Sequence, residues 1–364
     1  RRFRRTYSGC LVDGDGDGDL DLSVVSDFAG LDLYLNDGRG RFRDISRTLT
    51  GDTRAFGMSQ ALADLDGDAR LDLLMVGMNS FAGQRLESLH IRSPDPRDPP
   101  GARDAVAHGN RLYLGGDTSL GEVAVSRELR ETGWSWGVTF QDFDNDGHPD
   151  LHIVNGHKSR GTVRDYEDQF WRHDIHVGNS DLDPARELYF QTVSRRLYGA
   201  GWSYGGFDKN RMLLGLGNGG YMEAGWLLDA ASEEDFRNVA GADLDADGGV
   251  DLISTTYGNW PEGRQGWHVW RNELKPRGHW IGVHVREGGR GRSSLGSVVT
   301  LRAAGRIQRH WVVAGDGYRT QHPATAHFGL GGSTTVDSLE VRWPDGTVRI
   351  LQRPAPGRYH SVAP

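Results

Sequence analysis

Apolar residues along this chain come in short runs, broken by polar ones and bounded by Gly and Asp. Leu20-Asp21-Leu22-Ser23-Val24-Val25 alternates with a period of two, and Leu71 to Val76, Leu151-His152-Ile153-Val154 and Val250 to Thr255 are runs of similar length. Such runs, about four to eight residues long and rich in branched side chains, predict β-strands. A second stretch also recurs. Leu33-Tyr34-Leu35-Asn36-Asp37-Gly38-Arg39-Gly40-Arg41-Phe42 matches Leu213-Leu214-Gly215-Leu216-Gly217-Asn218-Gly219-Gly220-Tyr221 in outline, and Leu112-Tyr113-Leu114-Gly115-Gly116 is a looser copy. Each predicts a strand, a glycine hairpin and a strand.

Immediately before each strand of the first kind stands Asp-x-Asp-x-Asp-x-x-x-Asp. The four copies are Asp13, Asp15, Asp17, Asp21; Asp64, Asp66, Asp68, Asp72; Asp142, Asp144, Asp146, Asp150; and Asp243, Asp245, Asp247, Asp251. The sixth position is Gly18, Gly147 and Gly248 in three copies and Ala69 in the other. Glycine there permits a sharp turn, so that alternate carboxylates converge on one point, as a hard cation such as Ca²⁺ requires of its oxygen ligands. Ala69 should make the second loop the weakest. An EF-hand would need Glu at position twelve, where this chain has Val24, Met75, Ile153 and Ser254. The ninth Asp therefore opens a strand. Acidic loop, strands and hairpin together predict a four-stranded blade, and blades set radially shield one another's edges. The fold predicted is all-β, a β-propeller over 1–275 with four recognisable calcium-loop blades, the ring being either incomplete or filled out by further blades. A small β-sandwich-like domain follows over 276–364. The loops lie 51, 78 and 101 residues apart, so the two longer intervals hold insertions or a degenerate blade, one insertion lying around 156–209.

Charge supports the metal. The formal net charge is −8, but the sixteen loop aspartates account for more than that, and the other acids are outnumbered by the 42 Lys and Arg. About four Ca²⁺ ions would bring the whole close to neutral. Without metal, carboxylates this close repel one another, so the loops should be disordered or shifted in protonation. The 52 glycines sit in recurring turns, and no apolar run is long enough to span a membrane. Arg1-Arg2-Phe3-Arg4-Arg5 is not a signal peptide, and the absence of an initiator Met suggests a processed or truncated chain. The single cysteine, Cys10, occupies the position of Ala61, Thr139 and Ala240 in the other repeats and is expected to be small, buried filling.

Other signals carry less. Gly133-Trp134-Ser135-Trp136-Gly137 and Gly201-Trp202-Ser203-Tyr204-Gly205 fit the hydrolase elbow in letters, but the elbow needs a strand-to-helix turn that this context does not supply. Gly215, Gly217 and Gly220 imitate a dinucleotide fingerprint yet align with the blade hairpin. The segment 148–176 holds His148, His152, His157, His173 and His176. If helical, His173 and His176 share a face, and with Asp174 they are the catalytic or transition-metal candidates. The eleven tryptophans are expected mainly to fill blade cores.

These loops and strands resemble the FG-GAP/VCBS repeats of integrin-like propellers, which carry calcium in Asp-rich loops between the first two strands of a blade. Gly278-His279-Trp280-Ile281-Gly282-Val283, Gly296-Ser297-Val298-Val299, Gly315-Asp316-Gly317-Tyr318, His327-Phe328-Gly329-Leu330-Gly331 and Val341-Arg342-Trp343-Pro344-Asp345-Gly346 resemble the ASPIC/UnbV domain. The pair is similar to cartilage-acidic-protein-1-like proteins. The resemblance implies a calcium-stabilised extracellular or periplasmic module for binding, adhesion or assembly, with a protein or carbohydrate ligand and no nucleic acid. The alternative it leaves open is an enzyme of the calcium-bearing propeller type, acting in natural-product cyclisation or alkylation, with a pocket near 148–176.

Overall fold

The computed structural model describes residues 4–49, 53–91, 101–116, 120–177, 183–258, 263–275, 277–289 and 293–364; the side chains of 48, 49, 102 and 173–177 lie outside that description. Four antiparallel sheets follow one another. Sheet one is Arg5–Val12, Asp21–Asp27, Gly30–Asn36 and Phe42–Asp44; sheet two is Gly57–Ala63, Asp72–Gly77, Arg111–Gly115 and Leu120–Val123. Sheet three is Ser135–Gln141, Asp150–Asn155, Arg211–Gly215 and Tyr221–Glu223, and sheet four is Phe236–Ala242, Asp251–Thr256 and Trp267–Trp270. In every sheet an acidic loop joins the first strand to the second, and the ninth-position Asp is the first residue of that second strand.

The sheets stack face to face through their second strands, and that of sheet two is apolar on both sides. Side chains alternate along a strand, so Leu73 and Met75 face one way and Leu74 and Val76 the other. The first pair packs with Val25, Leu31 and Leu33 of sheet one, the second with Val138, Leu151 and Ile153 of sheet three. Val154 and Met212 then meet Phe236, Val239 and Leu252 of sheet four. Each such buried aliphatic side chain contributes about 1.5–3 kcal/mol. The first strands of successive sheets lie beside one another. Cys10, Ala61 and Thr139 are fully buried there, whereas Ala240 is only half-buried.

Both long loop-to-loop intervals are insertions at one place, between the second and third strands of a sheet. Sheet two takes helices Phe81–Ser88 and Ala102–Ala107; sheet three takes Glu167–Val177 and Pro184–Gly199, flanked by the parallel pair Thr162–Asp165 and Trp202–Ser203. Trp171 ties the insertions together: its ring is buried, and Nε1 donates to Ser80 Oγ at 2.8 Å and to Glu167 Oε1 at 3.0 Å. Trp134, Trp136, Phe56 and Tyr318 pack in the same cluster, the core role expected of the tryptophans.

The tail, 277–364, is a pair of sheets around a shared core of Ile281, Val283, Val299, Leu301, Phe328, Leu339 and Val341. One sheet pairs His279–Val285 with Thr325–Gly331 and, in parallel, with Tyr359–Val362; the other orders Arg306–Trp311, Val298–Ala303, Ser338–Arg342 and Val348–Gln352. The tail sits against the stack. Leu11 N donates to Ala314 O at 2.9 Å, Gly317 N to Gln60 O at 2.6 Å, and Thr139 Oγ1 lies 2.9 Å from His322 Nε2. Residues 314–322 thus run across the first strands of sheets one, two and three.

Candidate metal centre

The four acidic loops fold by one hydrogen-bond scheme. The first Asp accepts the sixth residue's N–H on Oδ2: Asp13 from Gly18 at 3.1 Å, Asp64 from Ala69 at 3.0 Å, Asp142 from Gly147 and Asp243 from Gly248 at 2.8 Å. The third Asp accepts the fifth residue's N–H, and the fifth Asp the seventh's, in all four loops. These turns point the carboxylates inward. Ligand oxygens of Asp13, Asp15 and Asp17 lie within 4.8 Å of one another, as do those of Asp64, Asp66 and Asp72, of Asp142, Asp144 and Asp146, and of Asp243, Asp245 and Asp251.

The ninth Asp has a second task. Its Oδ2 accepts the N–H of the loop's second residue, and its Oδ1 accepts an N–H just after or at the end of the third strand. Asp21 does this with Gly14 and Asn36, Asp72 with Leu65 and Gly115, Asp150 with Phe143 and Gly215, and Asp251 with Leu244 and Asn272. It clamps the loop to the sheet as well as adding charge. Sequence reasoning missed this, and it also missed the fourth position. Gly16, Gly67, Asn145 and Ala246 all have positive φ, at 81°, 80°, 61° and 58°. At the sixth position Ala69 adopts φ 65° where the others have glycine, a conformation that costs a side-chain-bearing residue about 1 kcal/mol.

The residues fit a hard divalent cation. Burial, together with the charges of Asp146 and Asp144, pushes Asp142 up to about 8; burial, with Asp142 adding to it, pushes Asp150 to about 8. Burial raises Asp21, Asp64 and Asp72 to about 6. Carboxylates held together at such a cost call for a positive charge between them. Loop four is partly supplied already: Arg271 Nη2 lies 2.8 Å from Asp245 Oδ2 and Arg277 Nη2 3.0 Å from Asp247 Oδ2, and the Arg277 contact lowers the pKa of Asp247. In loop two Arg70 pairs with Asp68.

Loops three and four also meet the tail. Gly329 N donates to Asp142 Oδ2 at 3.0 Å, Gly278 N to Asp144 O at 2.8 Å and Gly331 N to Asn145 O at 2.8 Å. His327 Nε2 lies 2.7 Å from Asn145 Oδ1 and its Nδ1 3.0 Å from the Tyr359 hydroxyl, which stands beside Asp243. Burial pushes His327 down to about 3, so the ring is neutral and carries one proton. Asn145 Nδ2 donates to Gly248 O at 2.8 Å, which leaves Oδ1 as the atom facing His327. The histidine proton is therefore on Nε2, and Nδ1 accepts from Tyr359.

The other sequence candidates are placed differently. His173, Asp174 and His176 fall on the helix Glu167–Val177, and their side chains lie outside the described residues. Ser135 Oγ lies 2.7 Å from both Asn155 Oδ1 and Thr132 Oγ1, and Ser203 Oγ donates to Thr162 O at 2.6 Å, so both serines are engaged in structural bonds. Gly215, Gly217 and Gly220 belong to the hairpin that joins Arg211–Gly215 to Tyr221–Glu223. Among the described residues no helix is long and apolar enough to cross a membrane.

Comparison with known proteins matches residues 13–75 to the FG-GAP-like repeat and residues 288–364 to ASPIC and UnbV. A stretch of 136 residues, 36% of this chain, is 32% identical to Cartilage acidic protein 1 of Xenopus tropicalis, and it spans 20% of that relative's length. Among solved structures, BBS1N in complex with ARL6DN, soaked with lead, aligns over 96% of this chain and 69% of its own at 10% identity and a TM-score of 0.30. The V. cholerae biofilm matrix protein Bap1 aligns over 96% and 59% at 12% identity and a TM-score of 0.30. Both superpositions are too loose to define this fold. The chain carries an FG-GAP-like repeat followed by an ASPIC and UnbV domain.

Proposed function

We propose that this chain is a calcium-stabilised extracellular or periplasmic binding, adhesion or assembly module. In this reading the four sheets up to 275 are blades of an incomplete β-propeller, and the division from the tail falls at 275/276. The observation that carries it is the fourfold repetition of one carboxylate cradle, with the same backbone donors at the same positions and burial-raised carboxylates in every copy. All sixteen aspartates take part, three or four per loop as direct ligands and the ninth also as the clamp to the sheet. Such loops take calcium at micromolar to millimolar concentrations, and millimolar calcium is found outside cells. When bound, calcium supplies the charge neutralisation between the carboxylates that Arg271 and Arg277 supply only in part at loop four. The residues themselves orient the carboxylates and exclude solvent at loop three.

Calorimetric titration of calcium into chelated protein tests the reading. It should show uptake approaching four ions per chain, with a higher thermal midpoint when loaded. No heat of binding and no change in midpoint would overturn it.

A further inference from the structure

The four loops are alike internally and unlike in what covers them. Loops three and four are bridged by a run of contacts from the tail: Gly329 N on Asp142, His327 on Asn145, Asn145 on Gly248 O, and Tyr359 against His327 and beside Asp243. The approach is close. A Cβ on Gly329 would lie 2.0 Å from Asp142 Oδ2, one on Gly278 2.1 Å from Asn145 O, and one on Gly248 1.9 Å from Trp280 Nε1. Loop two receives a tail bond at a peptide carbonyl, Arg309 Nη1 to Ala69 O at 2.7 Å. A cleft of about 500 Å³ opens among loop two, loop three and the 306–310 stretch of the tail. At loop one a Cβ added to Gly18 would still stand 3.8 Å from Pro344 O.

We infer that the tail domain is part of the metal sites of loops three and four: its His327, Gly329 and Tyr359 orient Asp142, Asn145 and Asp243, so that those two loops load and the tail docks as one linked event, while loops one and two load on their own. This rests on the calcium reading above. The physical reason is that outer hydrogen bonds fix the direction of a ligand and cost affinity when lost, typically 10–100-fold. Linkage makes the effect reciprocal: whatever the tail does for metal affinity, metal does for tail docking. His327 acts through Asn145 and Tyr359, and is a positioning residue.

The test uses the full chain and reads hydrogen exchange segment by segment against free calcium. In the parent, protection of loops 13–21, 64–72, 142–150 and 243–251 gives four midpoints. His327→Ala should raise the midpoints of the last two loops about tenfold or more and leave the first two within twofold. His327→Gln retains an N–H for Asn145 and should recover part of the loss. Tyr359→Phe, which keeps the ring and removes the hydroxyl, guards against an alanine variant that merely unfolds the tail, and should shift the same two loops. Conversely, Asp144→Asn should lower calcium-dependent protection of Thr325–Gly331, and Asp15→Asn should not. Equal shifts in all four loops, or none in any variant, would overturn the inference while leaving the calcium reading intact. A parent whose loops do not respond to calcium would overturn both.

Discussion

Loops one and three share their spacing, their turn bonds and their ninth-position clamp, yet they present different problems to an ion. The first Asp of loop three is 8% exposed and accepts N–H groups from Asp146, Gly147 and the tail's Gly329. The first Asp of loop one is half-buried and accepts from Gly16 and Gly18. A buried, crowded carboxylate is expensive when charged and alone, and correspondingly favourable when a cation is present. The same motif thus sits under different cover in the two loops, and the contrast shows that equal spacing leaves the carboxylates unequally buried and unequally bonded.

Removing the first ligand should separate the two loops most. Asp142→Ala strands three N–H donors, two of them inside the loop and one from the tail, and should cost about 3 kcal/mol or more in calcium. Asp13→Ala leaves its donors near water and should cost about 1 kcal/mol. Denaturant unfolding of both variants in saturating calcium checks the order, and equal losses would break the comparison.

Next in size is the pH dependence without metal. Asp142 and Asp150 are held near 8, above the ordinary carboxylate value, so the metal-free folded chain keeps protons that the unfolded chain has released. Stability from these groups is present at low pH and is lost as pH rises from about 4 through about 8. Thermal midpoints of chelated protein should therefore fall between pH 5.5 and 8.5, and calcium should flatten that fall by holding the carboxylates ionised. A metal-free midpoint that rises over this range would contradict the assignment.

Much of this was legible in the sequence, because loop and strand periodicities are local. The nine-residue spacing located the loops, and the alternation after it located the second strands of all four sheets. The third strands of sheets one, two and three were also visible through their hairpin glycines, whereas Trp267–Trp270 of sheet four has no such hairpin among the described residues. What was hidden is long-range or conformational. Asn145 and Ala246 hold left-handed backbone at a position that glycine marks in the other two loops, so residue type conceals the shared geometry. His327 meets Asn145 across 182 residues of sequence, and no pattern in either segment announces the other. The tail strands Thr325–Gly331 and Tyr359–Val362 escaped a reading by alternation for the same reason, since glycines interrupt the first and the second is only four residues long.

The smallest effect concerns loop two. Ala69→Gly relieves the left-handed alanine and should stabilise the calcium-loaded chain by about 0.5–1 kcal/mol, whereas Gly18→Ala should destabilise it by a similar amount. Paired thermal melts decide the sign, and an unchanged or lower midpoint for Ala69→Gly would remove backbone strain as the reason for ranking loop two last.

Native mass spectrometry of the intact chain during calcium titration separates the two pairs of loops, because it counts ions per molecule. A two-ion species should accumulate first, from the linked loops three and four, and a four-ion species should follow at higher calcium. A statistical ladder of one, two, three and four ions from four equal sites would contradict the division between the loops, and a chain that retains no calcium would contradict the metal assignment itself.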